Sequence, residues 1–162
     1  MWLPSEVFRT VVESTPLVSI DLIVENQQNE ILLGQRLNRP AQGYWFVPGG
    51  RVLKNEALDD AFLRLTHSEL GRAFERKQAQ FLGVYEHFYT DSVFGTEESD
   101  PDTHYVVLGY RIKLMDDHDL APLSEQHSGY RWWRLDDVQL SNAVHTNTRL
   151  YISALRDLTF SG

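Results

Sequence analysis

The sequence contains no cysteine. This absence excludes disulfides, thiolate metal sites and cysteine nucleophiles. It suits a reducing compartment, so we expect a cytoplasmic protein. The first ten residues also lack a basic, apolar leader, and no apolar run is long enough to span a bilayer. We therefore expect neither a signal peptide nor a membrane partner.

Basic residues are outnumbered by acidic ones, 15 against 23, which gives a formal net charge of −8. A protein with this charge does not attract nucleic acid through its overall field, so we expect no nucleic-acid partner. Any phosphate compound must be bound locally, by placed arginines or by a metal ion. The 162 residues, of which 42% are hydrophobic, suit a single domain spanning 1–162.

Hydrophobic periodicity and turn residues predict both strands and helices along the chain. Ser5 is expected to cap a short helix that ends near Ser14, and Gly71 to end the longest helix. The acidic, polar segment 90–103 is expected to be a mobile loop. The mixture predicts an α+β or layered α/β domain. The predicted strands are 17–24, 31–36, 44–47, 81–89, 105–114 and 130–134, and the other predicted helices are 56–70 and 146–155.

The longest predicted helix carries a carboxylate on its apolar side. Its apolar stripe, continued by four residues, reaches Glu69. Burial of a carboxylate is costly unless a cation meets it. A Mg²⁺ ion, an arginine, or water at the helix end would each serve, and the helix alone favours water. The stripe consists of Leu58, Ala61, Phe62 and Leu65.

Two glycines, Gly49 and Gly50, stand before this helix, where they allow close approach of the backbone and expose carbonyl oxygens. These carbonyls lie near the start of the helix, whereas Glu69 lies near its end. They share an ion with Glu69 only if the loop folds back across the helix, and spacing does not decide this.

Five residues around the helix have the spacing of the Nudix box, a loop–helix–loop motif of a hydrolase superfamily. The segment departs from the usual box at Leu65 and Ser68, where most members carry glutamate, and at Arg72, where an aliphatic residue is usual. Fewer carboxylates hold fewer metal ions and leave no helix glutamate free to act as a base. The matching residues are Gly50, Glu56, Arg64, Glu69 and Gly71.

The same losses mark one Nudix subfamily, the GDP-mannose mannosyl hydrolases, which nearly the whole chain resembles. The stretch 38–52 is the most specific part of the resemblance. The resemblance implies the Nudix fold, a mixed β-sheet sandwiched between helices in the α/β (α+β) class. The other matching stretches are 14–19, 103–109 and 125–127.

Members of this subfamily direct water at the anomeric carbon of the sugar and invert its configuration, which releases GDP and free sugar. The resemblance implies one Mg²⁺ per subunit, with Mn²⁺ as an alternative, held by the Gly49 carbonyl, Glu69 and Gln126. His127 matches the general base, since a neutral imidazole can take a proton from water near pH 7. By residue type alone, Gln126 and His127 would be ordinary loop residues.

The resemblance also implies contacts with the leaving diphosphate. Arg36, Arg51 and Tyr105 match groups with this role in binding and catalysis. Arg64 either has the same role or pairs with Glu56 and holds the shape of the box.

On the sugar side, the matching residues are Asp21 and His87. Asp21 stands in an apolar strand, so an inward-facing side chain needs a hydrogen-bond donor. A sugar hydroxyl or a buried arginine would serve. His104 is a further candidate for a polar contact.

Two other functions stay open at this stage. A Nudix pyrophosphatase would cleave a nucleotide sugar at phosphorus, but the missing acids at positions 65 and 68 argue against that chemistry. A non-catalytic module would only bind the nucleotide sugar. The resemblance further implies a homodimer that uses the first helix and the following strand, and the segment 90–103 could lie over the site.

Overall fold

A computed structural model describes residues 2–116, 120 and 127–161, with side chains described at all of these except 127, 128 and 159–161. One seven-stranded mixed sheet with helices on both faces makes up this part of the chain. Its strands are β1 (Leu17–Glu25), β2 (Glu30–Arg36), β3 (Trp45–Phe46), β4 (Gly49–Arg51), β5 (Gln80–Tyr89), β6 (Thr103–Lys113) and β7 (His127–Arg134), and its helices are α1 (Ser5–Ser14), α2 (Leu58–Leu70), α3 (Leu135–Leu140), α4 (Thr146–Ser161) and a 3₁₀ turn at Arg76–Gln78.

The central pair of the sheet is parallel. Strand β1 runs parallel to β6, while the other pairings are antiparallel. The strand order is β3-β2-β1-β6-β5, with β4 added to β1 and β7 added to β2. This arrangement confirms the predicted Nudix fold, a mixed sheet between helices.

The two faces of β1 pack against different helices. Ile20, Leu22 and Val24 belong to a core that α2 covers through residues such as Phe62. Ile23 points to the opposite face of the sheet and belongs to a second core with residues of α4. Since side chains alternate along a strand, Asp21 shares the α4 face with Ile23.

Strand β1 changes its neighbour along its length. It pairs with β2 at Glu25↔Ile31, but with β4 at Ser19↔Arg51 and Asp21↔Gly49. The switch brings the glycine-containing loop before α2 directly beside Asp21. The sheet therefore opens at this point, and the candidate site lies there.

Several predicted boundaries were wrong. Helix α2 begins at Leu58 rather than at Glu56, because Glu56 accepts a hydrogen bond from the backbone N–H of Leu53 and stays in the loop. Ser5 is the first residue of α1, not its cap; Pro4 holds the cap position without a side-chain bond. The 3₁₀ turn and α3 were not predicted, and α4 extends to Ser161. None of the helices in the described ranges is long and apolar enough to cross a bilayer.

Candidate active site

A cavity of about 830 Å³ opens where β1 parts from β2. Helix α1, the loop before α2, and the ends of β5 and β6 enclose it. Eight of the ten predicted site residues line it. They are Asp21, Arg36, Gly49, Arg51, Arg64, Glu69, His87 and Tyr105.

The two other predicted residues are Gln126 and His127. Gln126 lies outside the described residues. The backbone of His127 begins β7 and pairs with Arg36 across the β2–β7 ladder, while its side chain is outside the description. His104 is not among the lining residues; its ring stacks on Phe88, with 4.3 Å between the ring centroids.

The loop before α2 folds back onto the helix. A Cβ atom built on Gly50 would lie 2.6 Å from Cδ2 of Leu65, so the backbone rests directly on that side chain. Arg64 also donates from Nη2 to the carbonyl of Arg51 at 2.8 Å. The loop thus folds back across the helix, which the spacing of the residues did not decide. As a result, Gly49 and Glu69 line the same cavity.

Arg64 is held by the loop rather than left to the cavity. It donates from Nε to Oε2 of Glu56 at 2.7 Å and from Nη2 to Oε1 at 2.9 Å. The guanidinium holds the pKa of Glu56 below its usual value. Such a two-pronged pair fixes orientation as well as distance. This geometry supports the structural role for Arg64, in which it pairs with Glu56 and maintains the conformation of the loop–helix–loop motif.

Glu69 is 4% exposed, so the interpretation that its carboxylate simply reaches water at the helix end was wrong. The Tyr130 hydroxyl donates to its Oε2 at 3.3 Å. The acidic position four residues earlier is taken by Leu65, which is also buried and belongs to the core that α2 covers. Within the described ranges no three His, Cys, Asp or Glu side chains converge on a metal position. Of the three groups predicted to hold the ion, which are the Gly49 carbonyl, Glu69 and Gln126, only Glu69 is an acid.

Asp21 faces the cavity, and the donor that the described residues offer it is a tyrosine rather than an arginine. The hydroxyl of Tyr151, from α4, donates to Oδ2 of Asp21 at 2.6 Å. Burial raises the pKa of Asp21 to about 6, against the lowering effects of the Tyr151 bond and of Arg36.

The polar wall of the cavity is formed by Asp21, His87 and Tyr89. His87 is 4% exposed, and its Nε2 has no hydrogen-bond partner in the described part of the chain. Burial, with a smaller effect from His145, lowers the pKa of His87 to about 4, so the imidazole is neutral at physiological pH. A buried atom without a partner is costly, which makes His87 suited to a ligand group.

Tyr105 lies between the polar wall and the arginines. Burial raises the pKa of its hydroxyl, while the positive charges of Arg36 and Arg51 act in the opposite direction. The tyrosine is therefore protonated and can donate to an anion that these arginines attract. The Arg51 guanidinium is kept at the cavity by the Phe8 ring of α1, 4.4 Å away.

The loop between β5 and β6 is attached to α1. Arg9 donates to the carbonyl of Ser99 at 2.6 Å and to Oδ1 of Asp100 at 3.3 Å. At the other end of the loop, Ser92 and Val93 line the cavity. This segment thus forms part of the site wall, which agrees with the expectation that it could lie over the site.

Three lining or supporting residues escaped the sequence analysis. Tyr89 and Arg39 line the cavity, and Tyr151 supports Asp21 from behind. Tyr89 falls two residues after His87 on the same strand face, so strand alternation would have found it. No sequence signal links Tyr151 to Asp21, since the two lie 130 positions apart.

The chain is similar to known proteins in both sequence and fold. A model of the NUDIX domain matches residues 15–153. The chain is 39% identical over 127 residues, 78% of its length, to the low-salt glycan biosynthesis protein Agl8 of Haloferax volcanii, of which it covers 76%. It is 32% identical over 109 residues, 63% of its length, to an ADP-ribose pyrophosphatase of Methanocaldococcus jannaschii, of which it covers 57%. The crystal structure of a MutT NUDIX hydrolase from Burkholderia pseudomallei superposes with a TM-score of 0.68 at 26% identity, over 88% of this chain and 99% of that one.

Proposed function

The chain belongs to the Nudix hydrolase family, and we propose that it hydrolyses GDP-mannose or GDP-glucose to GDP and free sugar. Water attacks the anomeric carbon and inverts its configuration. The observation that carries this proposal is the cavity itself, which joins an arginine-lined part to a polar wall with a half-buried carboxylate and a neutral imidazole. Agl8 is named for glycan biosynthesis, and such pathways use activated sugars.

The arginine-lined part suits a diphosphate. Arg36 and Arg51 both act electrostatically on Tyr105, so the three groups face a common space. A leaving diphosphate carries its charge there, and fixed cations with a hydroxyl donor stabilise the charge that develops as the bond breaks. In a chain of net charge −8, this local concentration of arginines supplies the binding that the overall field does not.

The polar wall suits a sugar. Asp21 can accept from a sugar hydroxyl, and neutral His87 can donate or accept through Nε2. Two such groups at fixed positions orient the ring, and orientation of the reacting carbon lowers the entropic part of the barrier.

His127 is the proposed general base. Its backbone lies opposite Arg36 across β2 and β7, which places it at the end of the sheet where the cavity opens. A neutral imidazole there takes the proton of the attacking water.

The residues fit one divalent ion of the Mg²⁺ type, since Glu69 is a buried carboxylate that lines the same cavity as Gly49 and Gly50. Gly49, Glu69 and Gln126 would hold it, and the ion supplies charge neutralisation of the diphosphate.

A pyrophosphatase is the second candidate, and the similarity to the ADP-ribose pyrophosphatase of M. jannaschii favours it. Leu65 argues against it, since the buried leucine occupies an acidic position of the usual box. Hydrolysis in ¹⁸O-labelled water separates the two: label in the sugar supports attack at carbon, and label in phosphate supports the pyrophosphatase.

A binding module without catalysis is the third possibility. Protein with Mg²⁺ that binds GDP-mannose but releases neither mannose nor nucleotide would support it.

The single domain 1–162, the homodimer and the absence of nucleic-acid partners stay predictions. Light scattering on protein eluted from a size-exclusion column tests the homodimer.

A further inference from the structure

Tyr151 lies behind the polar wall of the cavity, on the face of the sheet that α4 covers. It belongs to α4, its side chain is 0% exposed, and its hydroxyl donates to Oδ2 of Asp21 at 2.6 Å. It does not itself line the cavity. Its one polar group is thus committed to a carboxylate that does.

The sheet makes room for this contact at one position. Gly109 of β6 pairs with Asp21 of β1, and a Cβ atom built on Gly109 would lie 3.1 Å from Cε1 of Tyr151. A side chain at 109 would occupy the space through which the tyrosine approaches. The absence of a side chain at Gly109 therefore allows the Tyr151 hydroxyl to reach Asp21.

The tyrosine ring is fixed by its neighbours. Tyr85 meets it edge-on, with 4.7 Å between the centroids, and His87 meets it at 6.3 Å. Tyr151 thus contacts two of the three groups of the polar wall, Asp21 and His87. Tyr151 thus restricts the positions of the Asp21 and His87 side chains.

The hydrogen bond leaves one carboxylate oxygen for a ligand. Oδ2 of Asp21 accepts from Tyr151, while Oδ1 lies on the side of Gly49, 2.9 Å from the Cβ atom that Gly49 lacks. Rotation of the carboxylate about its bond would break the bond to Tyr151. The tyrosine therefore restricts Asp21 to one orientation.

We propose that Tyr151 is a positioning residue, which acts through Asp21 to aim the free carboxylate oxygen at the sugar of the substrate. The inference rests on the proposed function for its ligand. A purely structural role is the alternative, because a buried tyrosine hydroxyl needs an acceptor wherever it lies. The two differ in one respect: positioning depends on Asp21, whereas support of the fold does not.

A double-mutant cycle separates them. The variants are Tyr151→Phe, Asp21→Ala and the combination, and Tyr85→Phe is the matched control, since it removes a neighbouring tyrosine hydroxyl that does not line the cavity. Two quantities are measured: kcat/KM for release of mannose from GDP-mannose with Mg²⁺ present, and Kd for GDP-mannose and for GDP with EDTA in place of Mg²⁺, so that the substrate is not turned over.

Tyr151→Phe should lower kcat/KM by about 10-fold, as loss of a hydrogen bond to a charged group does. It should weaken binding of GDP-mannose but not of GDP, and Tyr85→Phe should change neither. In the Asp21→Ala background, Tyr151→Phe should cause no further loss. Equal losses in both backgrounds, equal weakening of GDP-mannose and GDP, or wild-type kinetics for Tyr151→Phe would each overturn the inference.

A second variant guards against a fault specific to phenylalanine. Gly109→Ala keeps the hydroxyl but places a methyl group against the ring. It should reproduce the selective loss of GDP-mannose binding, and unchanged GDP-mannose binding would count against the inference.

Failure of the proposed function gives a different result. If wild-type protein binds GDP-mannose more tightly than GDP but releases no mannose, the hydrolase proposal is wrong. The two Kd values in the variants then still decide whether Tyr151 acts through Asp21.

Discussion

Replacement of Gly50 by alanine tests the contact on which the candidate ion site depends. The added methyl carbon would lie 2.6 Å from Cδ2 of Leu65, where ordinary contacts are 3.4–4 Å. Leu65 is 3% exposed and packed in the core, so it cannot move away into solvent. Overpacking of this kind costs about 1–2 kcal/mol of unfolding free energy, which corresponds to roughly 2–8 °C in Tm for a chain of this size.

Activity should fall further than stability suggests, because the loop moves relative to Glu69. Steady-state hydrolysis of GDP-mannose and thermal unfolding measure the two effects. Gly129→Ala is the control, since a Cβ there meets no atom of the described residues within 4 Å. Leu65→Val removes the atom that the methyl meets, so the combined variant should recover part of the lost turnover. If Gly50→Ala has wild-type Tm and turnover, the loop does not rest on the helix as described.

Four further outcomes are expected. Arg64→Ala and Glu56→Ala should each lower turnover by a similar factor, about 10-fold, because they break the same pair; a far larger loss for Arg64→Ala alone would give Arg64 a direct substrate contact. His127→Gln should lower turnover by roughly 10²–10⁴-fold with a smaller change in binding, and unchanged turnover would remove His127 from the role of base. Glu69→Gln should weaken the response to Mg²⁺, since a charged ligand is lost; a wild-type Mg²⁺ titration would contradict the ion site. The folded pKa of His87 is about 4 against an ordinary 6.5, so the unfolded chain binds a proton first and stability falls as pH decreases from 6.5 towards 4. His87 alone contributes a loss of about 2 kcal/mol between pH 7.5 and pH 5. The raised pKa of Asp21 acts in the opposite direction over this range, so His87→Gln should lose less stability on acidification than the wild type in denaturant titrations.

The strands and the main helix could be predicted because their signals are local. Alternation and β-branched residues mark β1, and the apolar stripe that ends at Glu69 marks α2. The start of α2 was misplaced, because the side chain of Glu56 is held by Leu53 N–H and Arg64, and periodicity carries no signal for such a bond.

The site was predicted less evenly. The lining residues were found by resemblance of motifs, but their connections depend on pairings across the sheet that no spacing reveals. The switch of β1 from β2 to β4 brings Gly49 beside Asp21. One donor to Asp21 comes from the last helix, whereas the sequence suggested a buried arginine; the sugar contact stays a prediction.

The parallel pairing of β1 with β6 has a consequence for synthesis of the chain. It joins Leu17↔Tyr105 through Glu25↔Lys113, so the middle of the sheet cannot close until the ribosome has made and released the chain through Lys113. Pairings this distant are slow, because the closure entropy of the intervening chain comes first. Until then an apolar strand has no neighbour on that side and is open to aggregation. A nascent chain stalled before Lys113 should therefore depend on chaperones.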